Sequence, residues 1–279
     1  MILIDMNQIA VANLMMNLKM NNSKTIDESM VRHMILNSIR MYRMEHHDEY
    51  GEVVLTWDSK HSWRRDYFPE YKASRRKGRE ESDLDWDDIF GTLNKIRNEI
   101  KENFPYKYLE VFGAEADDII GFLCEENRDE KIMIISGDKD FIQLQKYPNV
   151  KQWSPITKKD VNGFDPTIYL KEHILKGDTS DGVPNVLSPD NTFSDGLRQR
   201  PLSRKKIQSW LNSVEDCNDE VKRSYQRNLT LIDLSKTPEE LKNQIRLEYN
   251  NAPHGDRSKL LNYFMQNKLK ELTENIGEF

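Results

Sequence analysis

Short apolar runs rich in β-branched residues alternate with amphipathic segments along the first half of the chain. The runs occupy positions 2–4, 52–57, 108–112, 131–136 and 149–153. Between them, apolar side chains recur at helical spacing from about residue 25 to 42, over 84–104 and after residue 115. Strands that alternate with helices predict an α/β fold, in which a mostly parallel twisted sheet is flanked by helices.

The same pattern gives two more specific predictions. Thr25 and Glu28 have the spacing of a capping box, which predicts that a helix begins near Thr25. Only one helical segment separates the runs at 108–112 and 131–136, so we expect these runs to form neighbouring parallel strands.

The pattern changes near residue 165, after which helical spacing dominates. Pro166 suits the first turn of a helix, and residues 185–202 are rich in Pro, Asp, Ser and Asn, which predicts a loop. Three further helices are predicted at about 218–231, 238–249 and 257–271. We therefore expect an α/β domain over 1–164 and a smaller, all-helical part over 165–279.

Composition narrows the class of protein. Of the 279 residues, 32% are charged and 37% are hydrophobic, and the formal net charge is −6, a balance typical of soluble globular proteins. The two cysteines exclude a disulfide framework, no run is long enough to span a membrane, and the N-terminus lacks the pattern of a signal peptide. These features predict a protein of a reducing cytoplasm.

Carboxylates follow each of the first four apolar runs. Because the carboxyl ends of parallel strands form the ligand crevice of an α/β sheet, we expect these side chains to gather at one edge. Crowded carboxylates repel one another unless a cation neutralises them, and oxygen ligands suit Mg²⁺ or Mn²⁺ rather than Zn²⁺. The sequence therefore predicts a divalent-metal site. Its candidate ligands are Asp5, Asp58, Glu115, Asp117, Asp118, Asp138 and Asp140.

Two basic clusters suggest a polyanionic substrate. Residues 59–79 carry eight Lys and Arg residues interleaved with four aromatic residues. Cations release counterions from phosphates and aromatic rings stack on bases, so we expect this segment to bind single-stranded nucleic acid beside the metal site. Arg204, Lys205 and Lys206 begin a predicted helix, a position suited to a duplex phosphate.

The order of the acids is similar to that of a known family. The chain resembles the flap endonuclease and 5′-nuclease superfamily in the succession Asp5, Asp58, Glu115-Ala-Asp117-Asp118, Asp138-Lys-Asp140, Asp178 and Asp181. Tyr71-Lys72-Ala-Ser-Arg75 is similar to the family's Tyr-Lys-x-x-Arg element in the arch. Longer runs, among them Trp63-Arg-Arg-Asp66 and Leu175-Lys-Gly-Asp178, are similar to the phage ribonuclease H branch. The loop at 185–202 departs from the family because it lacks a Gly-x-Gly run.

The resemblance implies a structure-specific 5′ to 3′ exonuclease and flap endonuclease with ribonuclease H activity. Such an enzyme removes RNA primers during lagging-strand DNA replication and uses two Mg²⁺ ions, which Mn²⁺ can replace. The residues implied around the first ion are Asp5, Asp58, Glu115 and Asp117, and Asp118 supports their shell. Those implied around the second ion are Asp138, Asp140, Asp178 and Asp181. Lys72 and Arg75 would meet the scissile phosphate from the arch, at about 59–83.

The resemblance also implies partners. The substrates would be DNA duplexes with 5′ ends or flaps and RNA–DNA hybrids, held in part by a helix-hairpin-helix-like C-terminal part. The implied nucleic-acid contacts are Arg64, Arg65, Lys72, Arg75, Arg76, Arg79, Arg204, Lys205 and Lys206. A single-stranded-DNA-binding protein is the implied protein partner. The expected state is a monomer in the cytoplasm of the phage host, without membrane contact.

Two other functions stay open on the sequence alone. A PIN-type ribonuclease acting on single-stranded RNA shares the acidic sheet, although such domains are shorter and lack the basic segment and the helical C-terminal part. A DNA-binding replication protein that has lost catalysis would keep the fold. Such a protein usually lacks some acids, whereas every expected carboxylate is present here.

Overall fold

A six-stranded sheet forms the centre of the computed structural model, which describes residues 1–20 and 25–279. The strands are β1 (Ile2–Asp5), β2 (Val53–Thr56), β3 (Lys107–Leu109), β4 (Ile132–Ile135), β5 (Val150–Ser154) and β6 (Lys159–Asp160). Their order is β3-β2-β1-β4-β5-β6, and only β6 runs antiparallel to its neighbour. The predicted mostly parallel sheet is confirmed, with β6 as an addition that the sequence pattern did not indicate.

Twelve α-helices occur in the described residues. They are α1 (Met6–Met20), α2 (Glu28–Tyr50), α3 (Trp63–Tyr67), α4 (Ala73–Glu80), α5 (Trp86–Asn103), α6 (Ala116–Glu126), α7 (Pro166–Lys176), α8 (Arg204–Trp210), α9 (Asp219–Ile232), α10 (Glu239–Asn251), α11 (Leu260–Gln266) and α12 (Lys270–Glu274). Three 3₁₀ helices span Lys139–Lys146, Leu234–Lys236 and Ile276–Glu278. Within 1–20 and 25–279, no helix is both long and apolar enough to cross a bilayer.

Both faces of the sheet are covered, which explains why its central strands are apolar up to their carboxyl ends. Alternate residues of one strand point to opposite faces, so Ile2 and Ile4 pack with α1, α2 and α5 while Leu3 packs with α6. All four residues of β1, β2 and β4 are buried, as expected for parallel strands between two helical layers.

The strand order contradicts one prediction. β3 lies at the edge of the sheet and β4 pairs with β1, so β2 and β1 separate the two strands that we expected to be neighbours. The chain places β1, β2 and β3 side by side and then returns across the sheet to put β4 on the other side of β1. This change of direction is a topological switch point, where α/β sheets bind ligands.

The first helices also differ from the prediction. α1 was not predicted, because apolar residues such as Val11 and Met16 lie on its exposed side as well as on its buried side. The capping box at Thr25 was wrong: α2 begins at Glu28, and the Asp27 side chain accepts a hydrogen bond from the Met30 amide at 3.0 Å. Asp27 is therefore the N-cap of α2.

The C-terminal helices extend the same core. The single helix predicted at 257–271 is two helices, α11 and α12, separated by a turn in which Lys268 has a left-handed φ of 55°. Leu260, Phe264 and Leu272 belong to the same buried cluster as Ile2 and Ile4, whereas Leu241 and Ile245 of α10 belong to the cluster on the opposite face. The division of the chain into domains at residue 164 stays a prediction.

Candidate active site

The ends of two strands and one returning loop bring the first group of acids together. Asp5 ends β1, and Asp58 follows β2 after one residue. After β3 the chain turns back towards the middle of the sheet, where Ala114 accepts a hydrogen bond from the Ser59 amide at 3.0 Å. This return brings the start of α6 to Asp58, whose carboxylate accepts a hydrogen bond from the Ala116 amide at 2.8 Å. Glu115 and Asp117 thus lie beside Asp58 although β3 is an edge strand.

The end of β4 joins this group from the other side of β1. Ser136 donates its hydroxyl to the Asp5 carboxylate at 3.0 Å. Asp138 caps the 3₁₀ helix Lys139–Lys146 by accepting a hydrogen bond from the Asp140 amide at 2.9 Å, which fixes both acids at the switch point.

Burial and mutual repulsion raise the pKa values of these carboxylates, so they favour the protonated form in the absence of a cation. Burial, assisted by the charge of Asp58, raises the pKa of Asp5 to about 7. Burial raises the pKa of Asp140 to about 8, with further contributions from the charges of Asp138 and Asp178, against the opposing effect of His173. Burial also raises the pKa of Asp58 and of Asp138.

Asp117 is the most exceptional carboxylate of the group. It accepts no hydrogen bond and forms no ion pair with any residue in 1–20 or 25–279, although its side chain is only partly exposed. Burial and the charges of Asp138 and Asp5 raise its pKa far above the usual range. A half-buried carboxylate that has no partner among the described residues and is surrounded by other carboxylates is well suited to a divalent cation, and the carboxylates offer only oxygen donors.

Glu115 has the opposite environment. Burial would raise its pKa, but Lys72 and Arg64 outweigh that effect and lower it to about 2. Lys72 Nζ lies 2.7 Å from one carboxylate oxygen, and the Tyr71 hydroxyl lies 2.7 Å from the other. Glu115 is therefore ionised and fixes the basic segment against the acids.

The loop after α7 completes the group. Gly177 has a φ of 69°, and a Cβ at this position would lie 2.3 Å from the Val183 carbonyl oxygen, so the tight turn that carries Asp178 requires glycine. Asp181 contacts Arg75 at 2.5 Å and the Tyr71 hydroxyl at 2.6 Å, and its carbonyl accepts a hydrogen bond from the Lys72 amide at 2.7 Å. Lys72 and Arg75 thus lie between the two groups of acids.

Arg64, expected to contact nucleic acid, is buried and fully engaged inside the protein. Its side chain is 2% exposed, and its guanidinium pairs with Asp118 at 2.8 Å and Glu115 at 3.3 Å. Its Nε also donates to the Leu231 carbonyl at 2.9 Å. Asp118 accepts further hydrogen bonds from the Trp63 indole and the Thr237 hydroxyl. Arg64 and Asp118 therefore hold Glu115 from the interior side of the site, and Arg64 is not available to a substrate.

Apart from Lys72, which is held by Glu115, the other predicted cations are accessible. Arg65, Arg75 and Arg76 are exposed, and Arg79 lies over the Phe90 ring with its guanidinium carbon 5.5 Å from the ring centroid. Arg204, Lys205 and Lys206 are exposed on α8, which is anchored by Ile207 against Leu175 and Val221.

A cavity opens between the basic segment and the first group of acids. It has a volume of about 480 Å³, and Asp58 and Glu115 line it together with Arg65, Lys72, Arg75 and Arg79. Trp57 and Phe90 supply aromatic surface to the same cavity. The cavity therefore combines acids, cations and rings in one space.

Two features of the site were not predicted from the sequence. His173 on α7 lies between Asp140 and Asp178, with ring nitrogens 3.3 Å and 3.4 Å from the two carboxylates. Phe112 is 77% exposed beside the loop that carries Glu115, and it stacks on His61 with a centroid separation of 5.5 Å. Neither residue belongs to a motif, although an aromatic residue directly before Gly113-Ala-Glu115 was visible as a signal.

Comparison with known proteins defines the class to which this fold and acidic site belong. Residues 1–173 match the family model described as 5′-3′ exonuclease, N-terminal resolvase-like domain, and residues 165–279 match that described as T4 RNase H, C terminal. The chain belongs to the family of 5′-3′ exonucleases, ribonucleases H and flap endonucleases, and the resemblance drawn from the sequence is confirmed.

Individual relatives agree with this assignment. Ribonuclease H of Enterobacteria phage T4 is 37% identical over 291 residues, which cover 99% of this chain and 95% of that protein. A 5′-3′ exonuclease of Buchnera aphidicola subsp. Schizaphis graminum is 31% identical over 48% of each chain. The bacteriophage T5 D15 flap endonuclease, solved as a complex with DNA and metal ions, superposes with a TM-score of 0.63 at 18% identity, over 89% of this chain and 97% of that one. This last match supports the fold.

Proposed function

We propose that the chain is a structure-specific 5′ to 3′ exonuclease and flap endonuclease with ribonuclease H activity, which hydrolyses phosphodiesters with two Mg²⁺ ions. Mn²⁺ would replace Mg²⁺. The observation that carries the proposal is the environment of Asp117, a carboxylate that has no partner within residues 1–20 and 25–279 and lies among carboxylates whose pKa values are raised. Divalent cations would remove this repulsion.

The residues divide between the two positions as follows. Asp5, Asp58, Glu115 and Asp117 would hold the first ion, and Asp138, Asp140, Asp178 and Asp181 the second. When bound, such ions lower the pKa of an attacking water and neutralise charge that develops on the phosphate. Asp118 accepts a hydrogen bond from the Glu115 amide, and Arg64 pairs with the Glu115 carboxylate, so these two residues would keep Glu115 in place.

Lys72 and Arg75 would stabilise the negative charge of the scissile phosphate. Lys72 is held by Glu115 at 2.7 Å and lies 3.6 Å from Asp181, so its ammonium group is oriented between the two groups of acids. The charges of Asp181 and Glu115 outweigh the effect of burial and raise its pKa, so Lys72 is cationic over the physiological range. A fixed cation at this position stabilises developing charge without reorganisation.

The cavity described above would receive the nucleotide at the 5′ end. Its volume of about 480 Å³ lies within the range typical of small-ligand sites, about 300–1,000 Å³. Arg65, Arg76 and Arg79 would bind the phosphates of the single strand, and the exposed Phe112 would stack on a base. Arg204, Lys205 and Lys206 on α8 would contact the duplex.

The likeness to the phage T4 ribonuclease H supports a biological role. We infer that the substrates are DNA duplexes with 5′ ends or flaps and RNA–DNA hybrids, and that the protein removes RNA primers during lagging-strand replication in the host cytoplasm. It would act as a monomer, with a single-stranded-DNA-binding protein as its partner.

The test is a gel assay on a 5′-labelled flap substrate and an RNA-primed template, with Mg²⁺ or EDTA. Short 5′ products or released flaps that require metal and disappear in Asp117→Asn are the expected result. Asp48→Asn is the matched control, because the Asp48 side chain is fully exposed and lies outside the acidic group. If the wild-type protein binds the duplex but cuts no substrate with Mg²⁺ or Mn²⁺, the catalytic proposal is wrong and a DNA-binding replication protein is the better description.

A further inference from the structure

We propose that His173 supplies a nitrogen ligand to the second divalent ion, so that this position prefers a transition-metal ion such as Mn²⁺ over Mg²⁺. The inference rests on the proposed two-ion function and adds a ligand of a different chemical type. It concerns a residue outside every motif in which the acids were recognised.

The geometry of His173 is that of a ligand set. One oxygen of Asp140, one ring nitrogen of His173 and one oxygen of Asp178 all lie within 4.8 Å of one another. Bonds of about 2.0–2.2 Å place opposite ligands about 4.0–4.4 Å apart, so a small contraction would close the three atoms around one ion.

The two ring nitrogens face different carboxylates. Nδ1 lies 3.3 Å from Asp140 and Nε2 lies 3.4 Å from Asp178. When one nitrogen binds an ion, the other keeps its proton and has a carboxylate beside it to accept its hydrogen bond. Metal-bound histidines commonly show this arrangement, which fixes the tautomer and the ring orientation.

The position of the ring is held by the fold. His173 lies on the last turn of α7, where the adjacent Ile174 and Leu175 are buried in the interior. The Tyr169 ring packs edge-on against the imidazole with a centroid separation of 5.9 Å. Because the His173 side chain is only 15% exposed, it faces the acids rather than bulk water.

A nitrogen ligand changes the choice of metal. Mg²⁺ favours oxygen donors and octahedral geometry, whereas first-row transition-metal ions accept imidazole more readily; Mn²⁺ binds carboxylates as Mg²⁺ does but is the first member of that series. The first position, formed by four carboxylates, would retain the oxygen-only character that suits Mg²⁺. The two positions would therefore differ in selectivity within one site.

The competing explanation is that His173 only neutralises the two acids. In that case the imidazole is displaced when an ion binds, and nitrogen never enters the coordination shell. Removing the imidazole would then leave Mn²⁺ affinity unchanged or improve it. The two explanations predict opposite effects of the same substitution.

The test is pulsed electron paramagnetic resonance on the full chain loaded with Mn²⁺, which detects hyperfine coupling to a ligating ¹⁴N nucleus. We expect an imidazole ¹⁴N coupling in the wild type, its loss in His173→Gln, and a drop of about ten-fold or more in Mn²⁺ affinity with little change in Mg²⁺ affinity. His47→Gln is the control, because His47 also lies beside two carboxylates, Asp48 and Glu52, but on the surface.

The wild-type spectrum decides the question even if a variant folds poorly. Bound Mn²⁺ without nitrogen coupling overturns the role of His173 and leaves the proposed function intact. If the wild type binds no Mn²⁺ at all, the two-ion function itself fails. An unchanged or increased Mn²⁺ affinity in folded His173→Gln also overturns the inference.

Discussion

The adjacent residues Arg64 and Arg65 offer a direct test of how the basic segment divides between structure and substrate binding. Arg64 is buried against Asp118 and Glu115, whereas Arg65 is exposed. Arg64→Leu would leave buried Asp118 without its cation, would leave Glu115 with Lys72 as its only cation in the described part of the chain, and would also remove the hydrogen bond to Leu231. Breaking a buried ion pair from one side typically costs about 3–5 kcal/mol.

This cost translates into a measurable change in melting temperature. Unfolding entropy of about 2.1 cal/mol/K per residue gives about 0.6 kcal/mol/K for this chain, so the expected decrease is about 5–9 °C. Arg65→Leu should change stability by less than about 0.5 kcal/mol because its side chain is at the surface. The same Arg65 substitution should weaken binding to single-stranded DNA, since it removes a cation that faces the cavity.

Thermal denaturation by circular dichroism and a filter-binding titration of a DNA flap at two salt concentrations would measure both effects. The reasoning is refuted if Arg64→Leu has the same melting temperature as the wild type and lowers DNA affinity instead. It is also refuted if the two variants lose equal stability. Arg64→Lys gives an intermediate case, because an ammonium group keeps the charge but cannot reproduce the guanidinium contacts with Leu231 and both acids.

Three further predictions follow from the same site. In EDTA, the melting temperature should fall as pH rises from about 4 to about 8, because Asp5 and Asp140, whose pKa values are raised to about 7 and about 8 in the folded protein, hold protons that the unfolded chain has released. Mg²⁺ should restore the melting temperature at pH 8, and a melting temperature that does not change with pH would contradict this prediction. Phe112→Ala should raise KM by about ten-fold with kcat unchanged, as expected for the loss of about 1–3 kcal/mol of base stacking, and should reduce the quenching of 2-aminopurine in the flap. Phe112→Trp should keep the wild-type KM and the wild-type quenching. Gly177→Ala should destabilise the protein more than Gly163→Ala in thermal melts, because both glycines have positive φ but only the Cβ at Gly177 meets backbone atoms; equal losses would disprove the steric argument.

The acidic group could be predicted because it depends on local pattern. The acids from Asp5 to Asp140 follow apolar runs, and the carboxyl ends of parallel strands share an edge whatever the order of the strands, whereas Asp178 and Asp181 follow α7 and were implied by the resemblance alone. The order itself could not be predicted, since it is set by helices that cross the sheet and not by the strand sequences. The wrong pairing of β3 with β4 therefore did not change the predicted membership of the group.

The roles of individual cations were less predictable. Arg64 and Arg65 look alike in sequence, and only the packing of α3 against α6 and α9 places one inside and the other outside. His173 lies five residues before Asp178, a spacing that has no meaning until the tight turn at Gly177 folds the loop back. Both residues act through contacts between distant segments, which a linear pattern does not contain.

The core that α11 and α12 share with β1 and β2 has a consequence for how the protein is made. The first strand leaves the ribosome early, but residues near 260–272 that complete the core on one side of its sheet are synthesised more than 250 residues later. At bacterial rates of about 5–20 residues per second, that interval lasts roughly 13–50 s. During this time Ile2, Ile4 and their neighbours on that face lack part of their final cover. The nascent chain should therefore depend on chaperones, and its yield should respond to translation speed in the second half of the message.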